Sequence, residues 1–221
     1  ATYLAAIDFQ GFDLPIFPLA DTPGGTEWGL NREEWNAIGP CHGAIEDLPP
    51  LAERQMIAHD LLHDIGFTHE NPAVVYTFLW TPFERLGDVG PVLMKFYEDV
   101  PHGMIRLDWD PIEIARSYDK HTTGEFDVSY WSYATPRTDP DTWLYEHYYS
   151  GSHRNYGKYS NPEVDALIDL QGATLDPALR AERIKDLSRI LLRDSAKITM
   201  TTLPKQRAEA PWLKGLGHRV S

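Results

Sequence analysis

Hydrophobic periodicity separates an irregular first segment from a long region of alternating helices and strands. Residues 1–50 are rich in proline and glycine, which interrupt any long repeat of apolar positions. From Pro50 to Ile65 apolar residues recur at helical spacing, and Gly66 stands where a helix commonly ends. The predicted apolar face of this helix is formed by Ile57, Leu61, Leu62 and Ile65. The pattern therefore predicts an irregular segment over 1–50, packed on the domain that follows it.

Strand and helix patterns then alternate as far as residue 130. Apolar, β-prone runs occupy 73–80 and 104–109. Helical spacing follows each run, over 88–100 and from Asp110 to about His121, where Asp110, Pro111 and Glu113 form a capping-box-like start. Alternation over 126–130 is typical of a half-buried strand. Together these elements predict an α/β domain over 51–221, with a mixed sheet flanked by helices.

The last third of the chain contains two helix starts with strong local signals. A proline-containing loop over 135–141 leaves the predicted sheet, and each later helix begins with a capping residue followed by proline. These pairs are Asn161 with Pro162, and Asp176 with Pro177. The second helix is amphipathic, and its predicted apolar face consists of Ile184, Leu187, Ile190 and Leu191. A short β-prone run follows over 198–203.

Composition removes several classes of function. The 221 residues contain 20 Lys and Arg against 33 Asp and Glu, a net charge of −13, which opposes binding to nucleic acid. No apolar stretch approaches the roughly 18 residues of a membrane-spanning helix. The single Cys41 excludes an intramolecular disulfide. Phosphate loops, dinucleotide glycine patterns and nucleophile elbows do not occur, so no cofactor is predicted.

One histidine pattern has the spacing of a zinc protease signature. His59, Asp60, His63, Gly66 and His69 match H-E-x-x-H-x-x-G-x-x-H, except that Asp60 replaces the glutamate. Three histidines so spaced would bind zinc, with Asp60 as the base. However, Asp is one methylene shorter than Glu, and no methionine turn follows. A zinc hydrolase is therefore the alternative hypothesis, and solvent-facing histidines on an amphipathic helix are the favoured interpretation.

Six segments in a fixed order carry a family resemblance. They are Ala5–Asp8, Ala58–Phe67, Gly124–Asp127 with Trp131, Asp139–Trp143, Tyr159–Leu167 and Arg180–Asp194. Together they resemble the family 5 solute-binding proteins of ABC importers, which carry peptides, nickel complexes and oligosaccharides between two lobes. The family's chains are longer, so the resemblance implies a carboxy-terminal portion, with an export signal and another lobe before Ala1.

The resemblance also implies partners and a location. It indicates a non-enzymatic, extracytoplasmic protein, either periplasmic or a cell-surface lipoprotein, that delivers a small ligand to the permease subunits. Membrane association would then arise only through a lipid anchor or the permease. A third hypothesis is an interaction module that binds only the importer's membrane subunits through its acidic surface.

Three aromatic residues and one aspartate after the strand predicted over 126–130 supply the candidate ligand-binding side chains. These candidates are Trp131, Tyr133, Asp139 and Trp143. Peptide binders of the family place an aspartate three residues after the strand tryptophan, where it pairs with the peptide's amino terminus; here Ala134 stands at that position. Unless Asp139 or Asp141 replaces the missing carboxylate, the stacking faces and hydroxyls favour an oligosaccharide or another neutral solute over a peptide.

Overall fold

Three strands and six helices form the regular structure of the described part of the chain, which comprises residues 16–17, 20–21, 25–39, 42–43, 46–80, 95, 103–130 and 139–198 of a computed structural model. In chain order the elements are α1 (Arg32–Asn36), α2 (Leu51–Asp64), β1 (Ala73–Trp80), β2 (Ile105–Pro111), α3 (Ile114–Thr123), β3 (Val128–Tyr130), α4 (Pro140–Tyr148), α5 (Pro162–Gly172) and α6 (Pro177–Arg193). The predicted α/β fold is confirmed.

The sheet places the ends of its strands side by side. β1 lies in the centre, with β2 on one side and β3 on the other, and both pairings are parallel. Trp80 is paired with Pro111 of β2 and with Tyr130 of β3. The strands predicted over 73–80, 104–109 and 126–130 are confirmed, although β2 extends to Pro111 and β3 begins only at Val128. An antiparallel strand, which a mixed sheet requires, is not among the strands described.

The face that α2 buries differs from the predicted one. Its buried residues are Arg54, Ala58 and Leu62, which follow a single i, i+4 row. Leu61 and Ile65, which belong to the predicted face, are 40% and 39% exposed. Arg54 occupies the buried row because its Nε donates to the Pro49 carbonyl at 2.9 Å while its alkyl stem packs inside. The prediction of this face was therefore wrong except at Leu62 and the half-buried Ile57.

The helix after β2 begins later than predicted. Asp110 and Pro111 are the last residues of β2 and pair with the end of β1. Glu113 is the N-cap instead, and its carboxylate accepts from the Ala115 N–H at 3.1 Å. Two other predicted features, the helix over 88–100 apart from Lys95 and the β-prone run over 199–203, lie outside the described residues.

Helices α4, α5 and α6 share one hydrophobic core. Its buried members are Leu144, Tyr148, Val164, Ile168, Ile184, Leu187 and Leu191. The predicted starts of α5 and α6 are confirmed, and Asn161 and Asp176 cap them. The sequence pattern did not predict α4 as a helix, although Asp-Pro at 139–140 fits a cap. Leu144 and Tyr148, one turn apart, anchor α4 in the core.

The segment before α2 also contributes apolar side chains. Leu30 and Trp35 pack with Leu192 of α6 in a second small cluster. Asn31 and Glu34 form a reciprocal capping box around the start of α1, with both hydrogen bonds at 2.8 Å. This cap fixes the entry of α1 and so aims Trp35 at α6.

Candidate functional site

The carboxyl edge of the sheet is the position where this fold can hold a ligand. β1 ends at Trp80, β2 at Pro111 and β3 at Tyr130, and the registers place these three ends together. Since β2 and β3 lie on opposite sides of β1, the chain reverses its winding direction at the sheet centre. Parallel α/β sheets bind ligands outside their carboxyl ends at such a reversal. Residues 131–138, and with them the candidates Trp131 and Tyr133, follow β3 but lie outside the described residues.

The carboxylate of Asp139 is engaged by protein groups. It caps α4 by accepting from the Asp141 N–H at 2.9 Å. Arg180 of α6 donates to both of its oxygens, at 2.8 and 2.9 Å, in a bidentate pair. The guanidinium holds the pKa of Asp139 below its usual range, and the carboxylate in turn raises the pKa of Arg180. Asp139 thus stays ionised while its charge is neutralised.

The second aspartate of this segment belongs to the same network. Gln171 is fully buried, and its Nε2 donates to Asp141 Oδ1 at 2.5 Å. Gln171 Oε1 accepts from Arg180 Nε at 3.1 Å. The Arg180 guanidinium also lies 5.3 Å from the ring centre of Trp28. Asp139 and Asp141, the two candidates to replace the carboxylate absent at Ala134, therefore both make polar contacts within the protein.

Trp143 lies on α4, one turn after Asp139. The indole is half-buried against the core shared by α4, α5 and α6. Its ring contacts the imidazole of His147, with centroids 4.1 Å apart and an interplanar angle of 66°. Burial, with smaller effects from Lys197 and Arg154, lowers the pKa of His147 to about 3, so this imidazole is neutral. Among the four predicted site residues, the structure describes Asp139, which caps α4, and Trp143, which lies within it.

The segment Tyr159–Leu167, which carries much of the family resemblance, has a structural role. Tyr159 Oη donates to Asp194 at 2.6 Å, and Asn161 Nδ2 donates to the same carboxylate at 3.0 Å. Burial, reinforced by Asp194, raises the pKa of Tyr159. These bonds join the start of α5 to the end of α6. The predicted segment is thus part of the scaffold that positions α4.

A buried asparagine that sequence reasoning missed completes this scaffold. Asn155 is 1% exposed, and its Nδ2 donates to the carbonyls of Tyr149 and Tyr159 at 3.2 and 2.7 Å. Asn155 Oδ1 accepts from the Tyr159 N–H at 3.3 Å. One side chain therefore closes the loop between α4 and α5. The only sequence signal was a small polar residue in a loop rich in glycine and serine.

The three histidines of the zinc-like pattern are close together in space. The rings of His59 and His63 have centroids 6.5 Å apart, and those of His59 and His69 are 6.2 Å apart. They line a cavity of about 390 Å³ with Thr68, Glu70 and Met104. Asp60 Oδ1 lies 3.4 Å from His59 Nδ1, so the proposed base faces a histidine ring. Within the described part of the chain, no group of three or more His, Cys, Asp or Glu side chains is arranged so that it could hold a metal ion.

No helix among the residues described here has both the length and the apolar character needed to cross a bilayer. This finding is consistent with the hydropathy of the sequence.

Solved structures identify the fold, whereas sequence comparisons do not. No protein-family profile and no curated protein matches the chain. The structure of OppA from Haemophilus influenzae in complex with RPPGFSPFR has a TM-score of 0.69 and 20% identity, over 89% of this chain and 38% of that chain. The murein tripeptide binding protein MppA of Escherichia coli gives a TM-score of 0.66 and 15% identity, over 89% and 38% of the two chains.

A nickel protein has a similar fold. NikA from Staphylococcus aureus in complex with Ni(L-His)2 gives a TM-score of 0.55 and 21% identity, over 68% of this chain and 31% of that chain. This chain therefore spans less than two fifths of the length of these three structures. The family resemblance predicted from the sequence is confirmed at the level of the fold.

Proposed function

We propose that this chain is a lobe of an extracytoplasmic solute-binding protein, in which residues 51–221 form the lobe and residues 1–50 pack on it. The observation that carries the proposal is the shared fold with proteins described as binding RPPGFSPFR, murein tripeptide and Ni(L-His)2. The carboxyl edge of a parallel sheet supplies the place for a ligand. The protein then hands its solute to the permease subunits of an importer, and its own membrane attachment is through them or a lipid anchor.

The polar network around Arg180 favours a neutral solute. A peptide's amino terminus needs an available carboxylate, and Ala134 stands where the family's peptide binders place one. Asp139 is paired bidentately with Arg180, and Asp141 accepts from the buried Gln171. Because replacing these bonds would leave a buried amide and a half-buried guanidinium without their acceptors, binding an ammonium group here is unfavourable. We assign the stacking surfaces of the kind that oligosaccharides use to Trp131, Tyr133 and the exposed part of the half-buried Trp143 ring.

The solute class is tested by calorimetric titration of the full-length protein with maltooligosaccharides, short peptides and nickel–histidine. We expect binding of the oligosaccharides, and Trp131→Ala should lower their affinity about tenfold, which corresponds to ~1.4 kcal/mol. Tyr145→Ala is the matched control, since Tyr145 is a 47% exposed aromatic residue on α4 outside the predicted set. Tight binding of peptides that requires a free amino terminus would contradict the neutral-solute proposal. Absence of binding in all three classes would contradict the solute-binding function.

A further inference from the structure

Two tyrosines after the middle of α4 and two aspartates of α5 form a surface that solute binding leaves unused. This tyrosine–aspartate surface consists of Tyr145, Tyr149, Asp165 and Asp169. The two tyrosine rings stack, with centroids 4.6 Å apart and an interplanar angle of 22°. The Tyr149 hydroxyl donates to Asp169 Oδ2 at 3.5 Å, and Asp165 Oδ1 accepts from the Ser150 N–H at 2.9 Å. We propose that the tyrosine–aspartate surface docks an arginine-bearing segment of a partner protein.

The scaffold holds the two rings in place. Asn155 Nδ2 donates to the Tyr149 carbonyl at 3.2 Å, and the Tyr149 N–H donates to the Tyr145 carbonyl at 3.3 Å. Tyr149 packs against the core shared by α4, α5 and α6, whereas Tyr145 is 47% exposed. Because one face of the Tyr145 ring lies against Tyr149, its other face and its edge are the parts that a partner reaches. A tyrosine held in this way offers contact area at a low cost in side-chain entropy.

The two aspartates have no lysine or arginine partner among the described residues. The ion pairs in that part of the chain use other carboxylates; Arg154, for example, pairs with Glu146 at 2.8 Å. Asp169 also lies in the last turn of α5, where the helix dipole already places partial negative charge and where no basic residue stands. Asp169, burial and Asp165, in that order, raise the pKa of Tyr149, which agrees with a negative potential at its ring. A cation from outside the chain would therefore be stabilised here.

The combination of aromatic faces and carboxylates favours a guanidinium. The face of a tyrosine ring carries partial negative charge, so it attracts cations as a carboxylate does. A guanidinium lies flat on an aromatic ring and bonds a carboxylate through two parallel N–H groups, whereas an ammonium is a compact, strongly hydrated charge. A second copy of this chain is disfavoured as the partner, because each copy has a net charge of −13. The partner is therefore a basic segment of another protein.

The size of each contact decides which kind of ligand can bind. An exposed cation–π contact or an exposed ion pair changes an affinity roughly two- to fivefold. Free arginine therefore binds too weakly to be measured, whereas a segment with several arginines adds such contacts together. The negative charge of the chain also speeds the encounter with such a segment. The resulting complex is transient and weakens as salt screens the charges.

The test is fluorescence anisotropy of a labelled hexa-arginine peptide, titrated with the full chain at low salt. We expect Asp169→Asn and Tyr145→Ala each to lower the affinity about two- to fivefold, and the two together about tenfold. Tyr145→Phe keeps the ring and should bind nearly as well as the unsubstituted chain. The matched control is Tyr118→Ala combined with Asp119→Asn, which removes an exposed tyrosine and an exposed carboxylate from α3 and should change the affinity by less than about twofold. All of these side chains are exposed, and circular dichroism of each variant confirms folding.

Three results would overturn the proposal. The first is an absence of hexa-arginine binding at low salt. The second is an equal loss of affinity in the α3 control, because binding would then follow net charge alone. The third is binding of hexalysine as tight as that of hexa-arginine and unchanged by Tyr145→Ala, since the stacked rings would then have no role. Solute binding is measured separately by calorimetry, so failure of the tyrosine–aspartate surface leaves the proposed function untouched, and the converse also holds.

Discussion

Replacing Asp139 separates the two roles of its carboxylate, the cap of α4 and the ion pair with Arg180. Asparagine is as good an N-cap as aspartate, so Asp139→Asn keeps the bond to the Asp141 N–H and removes the charge. Asp139→Ala removes both. The difference between the two variants therefore isolates the cap, and the loss in Asp139→Asn isolates the ion pair.

The structure sets the expected size of each effect. Loss of an N-cap side chain costs about 1 kcal/mol. Exposed ion pairs contribute roughly 0–1 kcal/mol, and this pair belongs at the upper end because it is bidentate and the Arg180 side chain is only 18% exposed. Since the Asp139 side chain is 54% exposed, solvent screening prevents a larger value. We expect losses of about 1 kcal/mol for Asp139→Asn and about 2 kcal/mol for Asp139→Ala.

Urea unfolding of both variants, alone and combined with Arg180→Met, measures these losses and their coupling. In the Arg180→Met background Asp139→Asn should have almost no effect. Arg180 lowers the pKa of Asp139, so the pair stabilises the fold above the unfolded Asp pKa of about 4, and this stability is lost as pH falls through the lowered folded pKa. Equal destabilisation by Asp139→Asn in both backgrounds would refute the ion pair.

Three further changes test the scaffold. Leu187→Ala should cost about 3–5 kcal/mol by urea unfolding because Leu187 is fully buried, whereas Leu175→Ala should be nearly neutral because Leu175 is 95% exposed. Gly66→Ala should cost about 1 kcal/mol since φ is 93°, whereas Gly157→Ala, where φ is not left-handed and an added Cβ meets nothing, should stay within about 0.5 kcal/mol. The folded-state pKa of His147 is about 3, below its unfolded value of about 6.5. The stability that the neutral imidazole of His147 contributes is therefore fully present above the unfolded pKa of about 6.5, and it is lost as the pH falls through the folded pKa of about 3. His147→Gln should flatten this acid limb of the unfolding free energy; an unchanged limb would contradict the assignment.

Local signals predicted the helices that begin with a cap and proline, because a cap is decided by two or three neighbouring residues. Asn161 and Asp176 fulfil that role. Helix α4 was missed although Asp139 and Pro140 have the same signature, since the prolines before it suggested a loop. The buried row of α2 was not predicted either, because it includes Arg54, and hydrophobic periodicity gives no reason to bury an arginine.

In the candidate site, too, features set by neighbouring residues were predictable and features set by tertiary packing were not. The i, i+4 spacing of His59 and His63 predicted that they share a helix face, and the structure places them with His69 around one cavity. The partner of Asp139 was beyond such reasoning, because Arg180 lies 41 residues away in sequence. No periodicity links them; only the packing of α6 against α4 and α5 does.

Helix α4 is fixed at both ends, and this has a consequence for the proposed binding function. Arg180 holds its N-cap residue, Asp139, and Asn155 closes the loop that leaves its last turn. Between these points Leu144 and Tyr148 are fully buried or nearly so. Such a helix has little freedom to adjust to a ligand, because local opening is easiest where few contacts are buried. Within the proposed function, we therefore expect α4 to keep its position within the lobe when a solute binds.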